Sequence, residues 1–267
     1  MAENSLIPQE QSSSSRKLSY LPTTAAYDRW AKVYDNDSNP LQAMDDLELE
    51  TLLPKFLNII APAQDDGILR IVDLGCGTGR NTFKLLSTPK ARIVGLDASP
   101  KMLEIARTRC EEGISLIPND KRAVNLQFDV FDMLNVQGSD VPEAGVSDAI
   151  ISTLVIEHIP CDKFFSVASS MLRPGGWLLL TNMHSDMGGK SQAGFVDPET
   201  GEKVRPTSYA HGVEDVIAAA ANYGLYLVGE VKETAVDESN VKLLGKRAGK
   251  WLGVKTWFGI IFQKHEG

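Results

Sequence analysis

Apolar residues first recur at helical spacing in "AAYDRWAKVYD", which puts Tyr27, Trp30, Ala31 and Tyr34 on one face. The pattern resumes in "MDDLELETLLPKFLNII" with Leu47, Leu49, Leu52, Leu53 and Phe56, and Pro54 predicts a kink or a fresh helix start. Short apolar runs then alternate with helical patterns. The predicted strands are "ILRIVDL", "RIVGLD", "VNLQFDV", "SDAIISTLVI" and "GWLLLTNM", and the helices between them are "RNTFKLLS", "SPKMLEIARTRCEEG" and "DKFFSVASSMLRPGG". In the second of these helices Ser99 is the N-cap, Pro100 takes the first helical position and Gly113 is the stop. Such alternation predicts a parallel sheet with helices on both faces. The near-continuous runs "DAIIS" and "WLLL" fit strands buried on both sides.

After His184 the alternation stops. The segment through His211 is rich in glycine and proline with a turn at "DPETG", and it reads as an inserted loop or hairpin. A helix at "VEDVIAAAANYG" and two late strands, "LYLVGEVKETAV" and "TWFGIIFQK", close the chain. The expected fold is a doubly wound α/β domain over 23–267, with a mostly parallel seven-stranded sheet, a helical cap over 23–60 and an insertion over 184–211 after the fifth strand. Residues 1–22 are polar and serine-rich, and a disordered tail is expected there.

Composition narrows the function. A net charge of −8 over 267 residues argues against a protein built to grip phosphate backbones, so no nucleic acid is expected. Cys76, Cys110 and Cys161 are widely separated and have no metal-ligand spacing, so no metal and no disulfide framework is expected, and a reducing, cytoplasmic setting fits. No secretory signal and no membrane span are expected, since no apolar run reaches the length that either needs.

Candidate chemistry begins at "IVDLGCGTGRN", where Gly75, Gly77 and Gly79 follow a strand directly. Glycines there let the backbone bend sharply or admit a ligand. The spacing is GxGxG, with Arg80 where a dinucleotide fingerprint has its last glycine, and no G-K-[ST] follows. Asp97 ends the next strand, 18 positions after Gly79, close to the ~20 expected of an acid that binds ribose hydroxyls. The third strand ends at Asp129, with Asp132 just beyond to take its place if the register is shifted. Asp73, Asp97 and Asp129 thus end successive strands and call for a ligand with a ribose, further donors and a cation. S-adenosylmethionine has all of these.

The chain resembles the class I S-adenosylmethionine-dependent methyltransferases from about Tyr27 onward, in "VDLGCGTGRN", "IVGLDASPKMLEIA", "LQFDVFDM", "DAIISTLVIEHI" and "LRPGGWLLLTN". The resemblance implies that Asp73, Gly75, Cys76 and Gly77 surround the methionine moiety. It places Ala98 and Met102 beside the adenine, Asp129 on its amine and the Val130 N–H on its ring. Thr153 and Leu154 would pass beneath the sulfonium, with Tyr27, Trp30 and Tyr34 in a covering helix. The insertion also resembles that of a subgroup of small bacterial and fungal methyltransferases.

For the acceptor side, His158, His184 and His211 are candidate general bases, because imidazole titrates near neutrality. Each can equally be a hydrogen-bonded loop residue, and Asp73 can equally cap its helix. The expected function is methyl transfer to oxygen, nitrogen or carbon of a small metabolite of the kind made in secondary metabolism. The alternatives are a macromolecular acceptor, tRNA or protein, and a regulator that binds the cofactor without turnover. Acceptor and oligomeric state are not read from the sequence.

Overall fold

The computed structural model describes residues 17–61, 67–118, 123, 125–136 and 140–266. Its strands are β1 (Leu18–Tyr20), β2 (Leu69–Leu74), β3 (Ala91–Asp97), β4 (Asn125–Val130), β5 (Ser147–Thr153), β6 (Leu172–Met183), β7 (Phe195–Val196), β8 (Lys203–Arg205), β9 (Leu225–Leu227), β10 (Lys232–Ala235) and β11 (Lys255–Lys264). Its α-helices are α1 (Thr23–Trp30), α2 (Pro40–Ile60), α3 (Arg80–Leu85), α4 (Pro100–Ile114), α5 (Cys161–Met171), α6 (Ser185–Gly188) and α7 (Val213–Asn222).

The central sheet runs β10-β11-β6-β5-β2-β3-β4, with β9 also paired to β11. Strands β4, β3, β2, β5 and β6 are parallel, and β11 is antiparallel to β6. The expected seven positions are present. The last is shared by β9 and β10, which pair with opposite ends of β11, so the single strand read in "LYLVGEVKETAV" is two. The chain winds outward from β2 to β4 and returns to β5 on the other side of β2. That reversal opens a crevice beyond the carboxyl ends of β2 and β5.

Alternate strand residues enter opposite cores, as a pleated strand requires. Ile71, Ile93, Ile151 and Leu179 pack with α2 and Trp257 on one face. Val72, Val94, Ile150 and Leu178 pack with Phe164, Phe165 and Val216 on the other. Both faces are covered, which explains the continuous apolar runs.

Three expectations are corrected. Helix α2 is a single helix across Pro54, so no fresh helix starts there. Pro54 and Glu50, whose carbonyl loses its helical partner, are both exposed, so water can satisfy the freed group. Helix α5 stops at Met171, ahead of Pro174, and "LRPGG" opens β6 instead. The tail expected over 1–22 falls largely outside the described residues. Leu18–Tyr20, however, is a strand that pairs in parallel with Lys203–Arg205.

That pairing joins the chain start to the insertion. With β7 it makes a small β1-β8-β7 sheet. Trp30 stacks on Phe195 with centroids 5.0 Å apart, and Arg29 Nε donates to Asp197 Oδ2 at 2.8 Å. Cap and insertion thus form one layer over the crevice, with Met102 of α4 in its core. Among the described residues no helix is long and apolar enough to cross a membrane.

Candidate functional site

The glycine turn lies at the crevice. Gly75, Gly77 and Gly79 have φ of 78°, 54° and 74°, the left-handed region that glycine enters without strain. The Asp97 carboxylate closes the turn, accepting from Gly77 N–H and Ser99 N–H, each at 2.8 Å. Burial pushes Asp97 up to about 6, against the pull of those two N–H groups.

A cavity opens here. Of the expected cofactor residues, Tyr27, Tyr34, Gly75, Gly77, Asp97, Ala98 and Thr153 line it, together with His158. Asp73, Cys76, Met102, Asp129 and Val130 do not. Asp73 is buried behind the turn, where it accepts from Thr82 Oγ1 of α3 at 2.5 Å. Burial raises it to about 7. Cys76 packs under Gly95, and Met102 joins the core of the overlying layer. Asp129 is exposed and accepts from Gln127 Nε2 at 2.6 Å, while Val130 is 58% exposed. Strand β4 ends at Val130, so Phe131, Asp132 and Met133 reach the cavity in their place. The reason is register: Phe131 N–H donates to Asp97 O, which carries the ladder one residue past the strand end.

The histidines separate clearly. His158 Nδ1 lies 2.6 Å from Thr207 O, so its N–H donates there and Nε2 accepts the Tyr27 hydroxyl at 2.7 Å. Burial raises Tyr27 well above its ordinary range and keeps that hydroxyl protonated. His184 and His211 are corrected as candidate bases, since neither lines this cavity or the one beside it. His184 Nδ1 accepts from Asp186 N–H at 3.0 Å, and its Nε2–H donates to Glu233 Oε1 at 2.7 Å. His211 Nε2 lies 3.0 Å from both Ile156 O and Ile159 O. Both histidines hold backbone in place. His184→Ala is expected to lower stability by ~2 kcal/mol through the lost cap and the lost bond to Glu233. Affinity for S-adenosylhomocysteine should stay unchanged. Urea unfolding and calorimetry check this, and a large affinity loss would contradict it.

A second cavity shares Tyr27, Tyr34 and Leu154 with the first. Leu154 holds φ of 58°, which is costly for a leucine, at the point where β5 turns into the 3-10 turn Ile156–His158. The other walls include Met187 and Gly194 from the insertion, Asp37 and Glu157, and Trp251 from near the chain's end. Sequence reasoning missed Asp37, Glu157 and Trp251 as site residues. No spacing links them to the glycine turn, and Glu157 stood out only as the neighbour of His158. The cysteines offer no nucleophile, since burial raises Cys110 to about 12 and Cys161 to about 11.

The sheet order and the crevice at a left-handed glycine turn define a class I, Rossmann-like methyltransferase architecture. A family model described as a methyltransferase domain matches residues 71–176. The chain is 48% identical over 270 residues to the uncharacterized methyltransferase AN0656 of Emericella nidulans, covering 93% of each protein. It is 33% identical over 122 residues to a ubiquinone biosynthesis O-methyltransferase of Mesorhizobium japonicum, covering 43% of this chain and 41% of that one. Among solved structures, a SAM-dependent methyltransferase from Methanosarcina mazei aligns with a TM-score of 0.54 at 18% identity, covering 75% of this chain and 94% of that one. The chain belongs to the class I S-adenosylmethionine-dependent methyltransferases, and S-adenosyl-L-methionine is the cofactor.

The residues present fit that cofactor. A Cβ on Gly77 would meet nothing within 4 Å, so the turn leaves open space on the cavity side. Asp97 retains lone pairs for hydroxyl donors, and Phe131, Met133 and Leu134 offer apolar contact for a base.

Proposed function

We propose that the chain methylates a small molecule held in the second cavity. The observation that carries this reading is the shared wall of Tyr27, Tyr34 and Leu154, which sets a second cavity directly beside the first. The similarity to a protein named for O-methylation in ubiquinone biosynthesis supports it. When bound, S-adenosylmethionine supplies an electrophilic methyl on a sulfonium. In this reading Asp97 takes the ribose hydroxyls and Asp132 with Met133 faces the adenine. Gly75, Gly77 and Thr153 border the methionyl part. Tyr27 and Tyr34 hold the acceptor in line and keep water out, so much of the rate comes from positioning. The insertion over 184–211 shapes the acceptor side through Met187 and Gly194, and its histidines keep it folded.

The test is S-adenosylhomocysteine formation with a cell extract. Turnover should survive nuclease and protease treatment of the extract. Loss of turnover after either treatment would point to a macromolecular acceptor, and absence of turnover in any extract would favour a non-catalytic regulator.

The ribose assignment has its own check. Asp97→Ala should weaken S-adenosylhomocysteine binding ~10-fold or more, since hydrogen bonds to a charged acceptor contribute roughly 1.5–3 kcal/mol each. The wild type should also bind more weakly as pH falls through about 6, where Asp97 takes up a proton and loses acceptor capacity. Binding favours the ionised form, so affinity is full above that pH and lost below it. Asp97→Asn should flatten the pH dependence. Calorimetry showing unchanged affinity in Asp97→Ala would refute the assignment.

A further inference from the structure

One stretch beside the second cavity departs from the charge of the chain as a whole. Between Ser239 and Lys255 stand Lys242, Lys246, Arg247, Lys250 and Lys255, with no aspartate or glutamate, in a protein of net charge −8. The stretch is fastened from beneath. Leu244, Ala248 and Trp251 are buried in the core that also holds α2 and Trp257, and Gly253 N–H donates to Val236 O at 2.8 Å. Lys242, Lys246, Arg247 and Lys250, which alternate with those anchors, are exposed. Lys255 pairs with Glu233 at 3.1 Å. Among the described residues no carboxylate stands within ion-pair distance of the other four. Two of the four, Arg247 and Lys250, line the second cavity, and neither lines the first.

The hydrogen-bonding capacity left over decides what this lining can hold. Arg247 Nη1 donates to Asp37 O at 2.7 Å, which anchors the guanidinium and leaves its remaining N–H groups to a ligand. Lys250 Nζ lies 4.9 Å from the centroid of the Trp251 ring and, among the described residues, donates to no acceptor. The two carboxylates of the same lining are engaged or shut in. Asp37 accepts from Trp30 Nε1 at 3.0 Å through Oδ2, and its Oδ1 is closed to solvent. Glu157 is 3% exposed, with Oε1 at 3.4 Å from His158 Nε2 and Oε2 closed to solvent. A molecule in this cavity therefore meets open cationic donors and not open carboxylates. A guanidinium beside an ammonium suits a carboxylate or a phosphate, which the planar guanidinium can grip through two parallel bonds.

We infer that the second cavity takes an acceptor that carries a carboxylate or phosphate group, and that Arg247 and Lys250 hold this group and select for it. This rests on the methyl-transfer reading above and adds the acceptor's charge class to it. The anionic group lies at the end of the acceptor remote from the methylated atom, because the cations are absent from the wall of Tyr27, Tyr34 and Leu154 that the two cavities share. Arg247 and Lys250 bind and orient, and no proton moves at either. The acid-free stretch around them adds a positive field at the rim, which draws an anion in and turns a cation away.

The test takes its acceptor from a cell extract treated with nuclease and protease. The extract is passed over an anion exchanger near neutral pH. The retained material is eluted with ammonium bicarbonate, which is removed by evaporation, and both fractions are assayed for S-adenosylhomocysteine formation by the full chain. Turnover should follow the retained fraction. With that fraction as acceptor, Arg247→Gln and Lys250→Gln should each raise KM ~10-fold or more, the size of a hydrogen bond between charged partners. The loss should fall on KM more than on kcat, as it does when binding remote from the reacting atoms is removed. Arg247→Lys keeps the charge and should recover part of the KM. Added salt should raise KM in wild type and change it less in the doubly substituted Arg247→Gln, Lys250→Gln chain. Calorimetry should find S-adenosylhomocysteine affinity within about twofold of wild type in every variant. Turnover confined to the unretained fraction, or a wild-type KM in either glutamine variant, would overturn this inference and leave the methyl-transfer reading standing. A fall in S-adenosylhomocysteine affinity as large as the rise in KM would assign both residues to the fold and overturn it equally. No turnover with the treated extract or either fraction would overturn the small-molecule reading and this inference with it.

Discussion

Asp45→Ala should destabilise the protein by ~3–5 kcal/mol, the range seen when one partner of a buried ion pair is removed. Asp45 is fully buried. Its Oδ1 accepts from Thr181 Oγ1 at 2.6 Å and from Trp257 Nε1 at 2.9 Å, and its Oδ2 accepts from Arg80 Nη2 at 2.6 Å. One side chain thus ties α2 to β6, β11 and the first residue of α3. Removing it strands a guanidinium, a hydroxyl and an indole N–H. Arg80 keeps Asp46, which accepts from Nη1 at 2.7 Å and is itself held below its ordinary range by Arg80 and Lys84 despite partial burial. That second carboxylate keeps the loss from being larger. Asp45→Asn retains an oxygen for Thr181 and Trp257 but turns an amide toward Arg80, so its loss should be smaller. Urea unfolding of both variants orders them, and a midpoint within error of wild type for Asp45→Ala would show that the junction carries little.

Much of this architecture was legible because its causes are local. Periodicity of 2 or 3.6 found the parallel strands and their helices, and Ser99 was read as an N-cap because the hydroxyl that accepts Met102 N–H at 3.1 Å is a short-range device. Asp97 was legible through its distance from the glycines. Where the reading failed, the cause lay at long range or in register. Asp129 and Asp132 both sit near a strand end, and only the pairing of β4 with β3 decides that Asp132 reaches the cavity. Leu18–Tyr20 looks like tail because its partner, Lys203–Arg205, lies far along the chain. His184 and His211 drew attention as titratable groups in an insertion, yet their ring nitrogens meet Asp186, Glu233, Ile156 and Ile159. The acceptor side gathers Asp37, Glu157 and Trp251 from three distant segments. No pattern in one dimension joins them.

Gly75→Ala should disable the protein in two ways, and Gly77→Ala in only one. Gly75 holds φ of 78°, where any side chain costs roughly 1–2 kcal/mol. An added Cβ would also stand 2.4 Å from Val155 Cγ2 and 2.9 Å from Cγ1, closer than carbon atoms can pack. Val155 cannot yield freely, because it sits between the strained Leu154 and the 3-10 turn that carries Glu157 and His158. Gly75 is equally confined, since its N–H donates to Leu96 O at 2.7 Å. Overpacking of this kind adds about 1–3 kcal/mol, for a total of ~2–5 kcal/mol, and the displaced segment belongs to both cavities. Gly77 differs. Its φ of 54° carries the conformational penalty, but an added Cβ meets open space within 4 Å. Gly77 lines the first cavity, so the methyl is expected to stand where the cofactor goes. Gly77→Ala should lose only ~1–2 kcal/mol of stability, while S-adenosylhomocysteine binding falls ~10-fold or more. Gly75→Ala should lose both stability and binding, and methyl transfer to any acceptor with them. Urea midpoints paired with calorimetry separate the two effects. If Gly77→Ala binds S-adenosylhomocysteine like wild type, the turn does not cradle the cofactor. If Gly75→Ala unfolds at the wild-type midpoint, Val155 and its segment move aside more easily than their strained backbone implies.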